Sequence, residues 1–272
     1  MSGYRHFAGL KGSKLITVGA DETVYNYTDL PSAVAAAQNN DVILMEPGTY
    51  TLSEKLTINK PLTIKGMCDV GMFSNPRGVI ITGPNDIDTA LIDIELVAQG
   101  AAARVNFEDI HIVQATDDED VISINNTTVD QKLYVFFKGC NVLSFDSAST
   151  GKGLVILGAD ATKAIHVGLV GYGWRNRVDY VHFTFKNAGS MLSMEGMVID
   201  DVGGATAIVT SADNLAAQIN LNNCLGPVLK FLSGGHGTQV VRTIDNVTVD
   251  GTTYAAASTA AFVGDHTEQI IN

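Results

Sequence analysis

Residues able to do chemistry are sparse in this chain and scattered along it. The densest acidic run is Asp117-Asp-Glu-Asp120. Consecutive loop residues alternate in direction and lack the spacing of a calcium loop, so the run reads as solvated. His111, His166, His182, His236 and His266 are dispersed. No spacing pairs two of them as metal ligands or sets up a Ser-His-Asp or Cys-His relay. Cys68, Cys140 and Cys224 are too few for a disulfide framework or a metal knuckle and read as small buried apolar groups. Neither a metal nor a cofactor is expected. Trp174, the single tryptophan, lies in Gly171-Tyr-Gly-Trp-Arg-Asn-Arg177, the aromatic and basic cluster of the body. Sugar-binding grooves stack their ligands on exposed aromatics, so Trp174 is the best candidate contact. The plainer reading is a loop anchored by a buried tryptophan. Arg5, Lys11 and Lys14 form a short basic arm ahead of the first acidic residue, Asp21, and are candidate docking residues.

The 272 residues contain 17 Lys+Arg against 29 Asp+Glu, a net charge of −12. A chain this acidic lacks the basic footprint that nucleic acid phosphates need. Charged residues make up 17% and glycine numbers 27, which disfavours disorder and suits buried strands joined by tight turns. No run of ~18 apolar residues is present, so no membrane-spanning helix is expected. The basic N-terminus lacks the apolar centre of a signal peptide, so no export is expected either.

The elements that would hold any site are mostly strands. Residues 15–26 suggest an opening strand pair, and Thr28 or Asp29 then caps a helix over 29–38, with Pro31 in its first turn and Asn39-Asn40 at its end. Asp41–Glu46, Thr49–Leu52 and Leu56–Lys65 read as short β-branched strands bounded by Gly, Pro, Asn and Asp. An echo follows: Val105-Asn-Phe107-Glu-Asp-Ile110, Val135-Phe-Phe137-Lys-Gly-Cys140, Phe183-Thr-Phe185-Lys-Asn-Ala188, Ile219-Asn-Leu221-Asn-Asn-Cys224 and Arg242-Thr-Ile244-Asp-Asn-Val247. Each places Asp, Asn or Gly before its last apolar residue, where a left-handed turn is tolerated. This pattern predicts a solenoid of about 25 residues per coil, with like positions stacked into ladders. Ile110, Cys140, Ala188, Cys224 and Val247 would share one inner row, an Asn or Asp ladder would follow the turn, and the helix would cover the first rung.

The stretch Tyr27–Gly66, "YTDLPSAVAAA…DVILMEPGTYTLSEKLTINKPLTIKG", resembles the opening of pectin-lyase-like right-handed parallel β-helices. The resemblance implies an all-β, single-stranded right-handed parallel β-helix with one N-terminal capping helix. The expected division is an arm over 1–20, a coil over 21–254, and a cap or tail over 255–272. Hydrolases similar to polygalacturonases carry Asn-Thr-Asp, Asp-Asp, Gly-His-Gly and Arg-Ile-Lys in order. Here Asp200-Asp201 and Gly235-His236-Gly237 are present, the first motif is missing, and the last is Val241-Arg-Thr243. For a methylesterase, Gly48-Thr-Tyr50 matches part of the first motif, but Leu52 replaces its acid.

Incomplete catalytic sets, free cysteines and the absence of an export signal favour a non-enzymatic virion structural protein. The form expected is a homotrimeric phage capsid decoration or cement protein, or a short fibre, docked through the basic arm to a major capsid or other virion protein. The second reading is a tailspike-like β-helix that binds or degrades polysaccharide as a glycoside hydrolase or lyase. In that reading Asp200, Asp201 and His236 act on one face and Trp174 stacks on the sugar.

Overall fold

The computed structural model describes residues 13–68, 78–83, 90–96, 103–114, 120–126, 132–144, 153–158, 162–176, 179–185, 187, 189–201, 207–211, 218–222, 239–242, 247–249, 252–254 and 268–269. At 143–144, 172–176 and 179–185, and from 198 onward, only the backbone is described.

The coil starts inside the stretch expected to be an arm. β1 (Leu15–Val18) buries Ile16 and Val18. The expected partner strand is instead a turn: Tyr27 donates its N–H to Thr17 O at 3.1 Å, and Asn26 Oδ1 accepts the Thr17 N–H at 2.9 Å. Side-chain and turn bonds thus satisfy the edge of β1 without a second strand. α1 (Leu30–Ala36) follows, with the Asp29 carboxylate accepting the Ser32 N–H at 2.7 Å and Leu30, Ala33 and Val34 buried. Its last carbonyls, on Val34, Ala35 and Ala37, accept from the Lys60 ammonium at 3.0, 3.1 and 2.8 Å, a cation where the helix dipole favours one.

The second coil comprises β2 (Asp41–Met45), β3 (Gly48–Thr51) and β4 (Leu56–Ile58). The third has β5 (Leu62–Gly66), β6 (Val79–Thr82) and β7 (Ile92–Glu95); the fourth has β8 (Ala103–Glu108), β9 (Ile110–Gln114) and β10 (Ile122–Asn125). The fifth has β11 (Leu133–Lys138), β12 (Asn141–Ser144) and β13 (Leu154–Gly158). In the next two coils one strand runs through the corner: β14 (Ile165–Asn176) precedes β15 (Asp179–Phe185), and β16 (Met191–Asp201) precedes β17 (Ala207–Ser211). β18 (Gln218–Asn222) and β19 (Gln239–Arg242) extend the first face. β20 (Val247–Val249) and β21 (Thr252–Tyr254) form an antiparallel hairpin, and β22 (Glu268–Gln269) pairs with β19.

Corresponding strands of successive coils pair in parallel. The first face runs β1-β2-β5-β8-β11-β14-β16-β18-β19-β22, the second runs β3-β6-β9-β12 into the later half of β14, and the third runs β4-β7-β10-β13-β15-β17. The chain is a right-handed parallel β-helix. Inside the first face, Leu62, Val105, Val135, Val167 and Leu192 stand in register, as do Ile64, Phe107, Phe137, Leu169 and Met194. All ten are buried. Phe107 and Phe137 stack with centroids 5.1 Å apart. Rungs about 4.8 Å apart bring identical side chains to stacking distance without adjustment.

The echo is correct on two rungs and displaced on others. Val105 pairs with Val135 and Phe107 with Phe137, and Ile110 and Cys140 are both buried. Phe183 pairs with Ile156 on the third face, so the segment at 183–188 belongs to a different row. The matching repeats are Val167-Gly-Leu169-Val-Gly171 and Leu192-Ser-Met194-Glu-Gly196, which the sequence reading passed over. Val241, not Arg242, stands opposite Ile219, and Val247 leaves the stack for the hairpin. Ala188 and Cys224 lie outside the described residues. The corner carries Asp109 (φ 57), Gly139 (φ 61), Gly171 (φ 68) and Gly196 (φ 61). Glycine takes the place of the expected Asn ladder because a left-handed residue costs it least.

Candidate functional site

The outward rows of the first face differ from the inward ones. One row reads Arg104, Tyr134, His166 and Met191, and the next reads Thr63, Asn106, Phe136, Gly168 and Ser193. Alternation along β11 turns Tyr134 and Phe136 outward while Val135 and Phe137 enter the core. Their rings lie nearly parallel, 10° apart, with centroids separated by 6.5 Å, and both are half-buried. The Phe136 ring occupies the space above Gly168, where a β-carbon would come within 2.5 Å of it. The His166 ring meets Tyr134 edge-on at 5.0 Å. His166 Nε2 is 2.8 Å from Gly189 O; a carbonyl only accepts, so this nitrogen carries the proton.

Two cations border these rings. The exposed Arg104 guanidinium carbon lies 5.2 Å from the Phe136 centroid and 5.9 Å from that of Tyr134. Lys138, also exposed, follows Phe136 by two positions on the same side of β11. No described carboxylate forms an ion pair with either. Lys65, one row across, is different: Glu108 holds it at 2.6 Å and Asp109 at 3.6 Å. Burial works against the charge on Lys65, but the two carboxylates outweigh it and hold the ammonium above its ordinary range. The result is an aromatic strip bordered by two cations that have no ion pair among the described residues, on an acidic molecule. It can stack on the apolar face of a ring and hydrogen-bond its polar rim.

The residues singled out from sequence fall elsewhere. Trp174 pairs with Val142 and Ile199, on the second-face row that also holds Ile81 and Ile112. Ile81, Ile112 and Val142 are buried, so Trp174 occupies an inner-row position. Asp200 pairs with Arg175 and Asp201 with Asn176. Adjacent strand positions belong to opposite sides of a sheet, so the two aspartates do not share a side. His236, Arg5 and Lys11 lie outside the described residues. Lys14 is exposed at the entry to β1, where its backbone N–H donates to Asp41 Oδ1 at 2.7 Å. Within Gly48-Thr-Tyr50, the Tyr50 hydroxyl donates to Glu46 O at 2.8 Å and the ring packs on the core, a structural role. Of the acidic run, Asp120 alone is described, and its carbonyl accepts the Leu91 N–H. Among the described residues no group of three His, Cys, Asp or Glu is placed to hold a metal ion. Sequence reading missed Tyr134 and Phe136 because it sought a rare residue. The available signal was the alternation in Leu133-Tyr-Val-Phe-Phe137, which turns two aromatics to the side opposite Val135 and Phe137.

No family model and no curated protein matches the chain. Among solved structures it is similar to a pectin methylesterase from Aspergillus niger, at 16% identity and a TM-score of 0.49, covering 98% of this chain and 92% of that one. It is also similar to carrot pectin methylesterase (14%, TM-score 0.46, 97% and 90% covered) and to that of Erwinia chrysanthemi (12%, TM-score 0.41, 93% and 92% covered). The expectation of a non-enzymatic virion structural protein, whether capsid decoration protein or short fibre, is corrected by this finding: these neighbours are all pectin methylesterases. On a coil, neighbouring side chains come from successive rungs far apart in sequence, so a site there need not appear as a local motif.

Proposed function

We propose that this chain is a polysaccharide-acting β-helix protein that lays its glycan across the outer rows of the first face, over Tyr134 and Phe136. The observation that carries the reading is the pair of parallel, half-exposed rings bordered by Arg104 and Lys138. Packing does not require aromatics at these positions, since the equivalent places on other rungs are Asn106, Gly168 and Ser193. The two rings sit two positions apart on one strand, so a glycan resting on both runs along β11 and crosses the rows. Turnover is assigned to Asp200, whose strand position on the neighbouring face stands in register with that of Arg175; a carboxylate can serve as base or nucleophile.

The test is electrophoresis through gels containing methylesterified pectin, de-esterified pectin or bacterial surface glycans. Methanol, reducing ends and unsaturated products are assayed in parallel. At least one glycan should retard the protein, Tyr134→Ala and Phe136→Ala should abolish the retardation, and Asp200→Asn should keep it while losing turnover. Equal mobility of wild type and both aromatic variants in every gel overturns the reading.

A further inference from the structure

The β-helix ends its second face on β3, and among the described residues that edge is open. Gly48 and Leu52 donate their N–H groups to Gly78 O, just before β6, and to Thr82 O at its end, at 3.1 and 2.7 Å. By alternation the N–H and C=O groups of Thr49 and Thr51 point away from β6. β3 is the last strand in its order, and among the described residues no strand pairs with its far side. The contrast with β1 is direct, because there Asn26 and Tyr27 take up the edge groups of Thr17 and Gly19. Open edges of this kind template the addition of another strand, and proteins ordinarily blunt them.

The open side of β3 also faces a cleft of about 290 Å³. Thr28, Asp29, Pro31, Glu46, Thr49 and Thr51 are among the residues that line it. Both threonines are exposed. The lining contains two carboxylates and no Lys or Arg. Each carboxylate has one oxygen engaged by a backbone N–H: Asp29 Oδ1 by Ser32 at 2.7 Å and Glu46 Oε2 by Ala20 at 3.2 Å. That contact fixes the side chain and leaves its charge uncompensated, since neither carboxylate has an ion pair among the described residues.

We propose that this cleft binds an extended basic peptide segment, which adds to β3 as a further strand. Main-chain bonds to Thr49 and Thr51 would supply the pairing, and Lys or Arg side chains would reach Asp29 and Glu46. A four-residue edge is about 13 Å long, so it takes a segment of about four to six residues. The site lies on the second face at the N-terminal end of the coil, separate from the aromatic strip, and does not depend on what that strip binds.

The experiment is fluorescence anisotropy of the full chain with a labelled six-residue peptide alternating threonine and lysine. Two further versions are N-methylated on one or the other alternate set of amides, and a fourth carries glutamate for lysine. Saturable binding is expected to fall at least about tenfold when one set is methylated and to change little when the other is. It should vanish with the glutamate peptide and weaken in Glu46→Gln and in Asp29→Asn, a variant that keeps the helix cap. No saturable binding overturns the proposal. So does equal binding by both methylated peptides, because charge attraction without strand pairing would then explain the association.

Discussion

Phe136 and Phe137 are neighbours in β11 and face opposite sides of one sheet. Phe137 is 1% exposed and stacks on Phe107 at 5.1 Å, within a row that also holds Ile64, Leu169 and Met194. Phe136 is half-exposed, lies beneath Arg104, and belongs to a row of Thr63, Asn106, Gly168 and Ser193. The inner row is uniform because each rung must fill the same cross-section at close packing. The outer row is free of that demand. An aromatic pair there, next to cations without an ion pair among the described residues, is the feature on which the proposed glycan contact rests.

The sharpest way to break the comparison is to truncate both phenylalanines. Phe137→Ala should cost about 3–5 kcal/mol in urea unfolding, the range for a buried aromatic. Phe136→Ala should cost less than about 1 kcal/mol and yet abolish retardation by glycan. A large stability loss in Phe136→Ala would make the outer ring a packing element.

Two glycines give a finer version. Gly139 has φ 61, and an added β-carbon there should cost about 1–2 kcal/mol whatever the ligand. Gly168 has no such constraint, but its β-carbon would come within 2.5 Å of Phe136 Cδ1. Gly168→Ala should thus displace the ring, weakening glycan binding about tenfold while unfolding almost as the wild type does. Urea titration and gel retardation of the two variants separate these effects.

The smallest expected effect concerns alkaline pH. Burial pushes the Cys140 thiol up from its ordinary 9.0 to about 12. Burial, then the charge of Glu46, then Tyr25, push the Tyr50 phenol up from 10.0 to about 12. In both cases the folded chain holds a proton that the unfolded chain releases first. Stability is full below about pH 8 and declines as pH rises toward 12, with a loss of about 1.5 kcal/mol by pH 10, mostly from Cys140. Urea midpoints at pH 8 and pH 10 should differ accordingly, and Cys140→Ala should remove most of the difference.

The coil was legible because its cause is local. β-branched alternation in Leu62–Lys65 and Val105–Phe107, and a left-handed residue at Asp109 and Gly139, appear directly in the chain. The register beyond Gly158 was less legible, because β14 and β16 run through the corner and shift the echo to Val167 and Leu192. The candidate site was hidden for a related reason. Arg104, Tyr134, His166 and Gly168 come together through ladder register, which no short motif encodes. Trp174 drew attention by its rarity, yet its register places it on the row of Ile81, Ile112 and Val142.

The central claim is that sugar rings rest on Tyr134 and Phe136. Saturation-transfer NMR tests it most directly, with the protein's aromatic protons irradiated in the presence of an oligosaccharide from the glycan that retards the wild type. The account predicts transfer to the C–H protons of the sugar and its loss in Tyr134→Ala and in Phe136→Ala. Undiminished transfer in both variants, or none in the wild type, would contradict it.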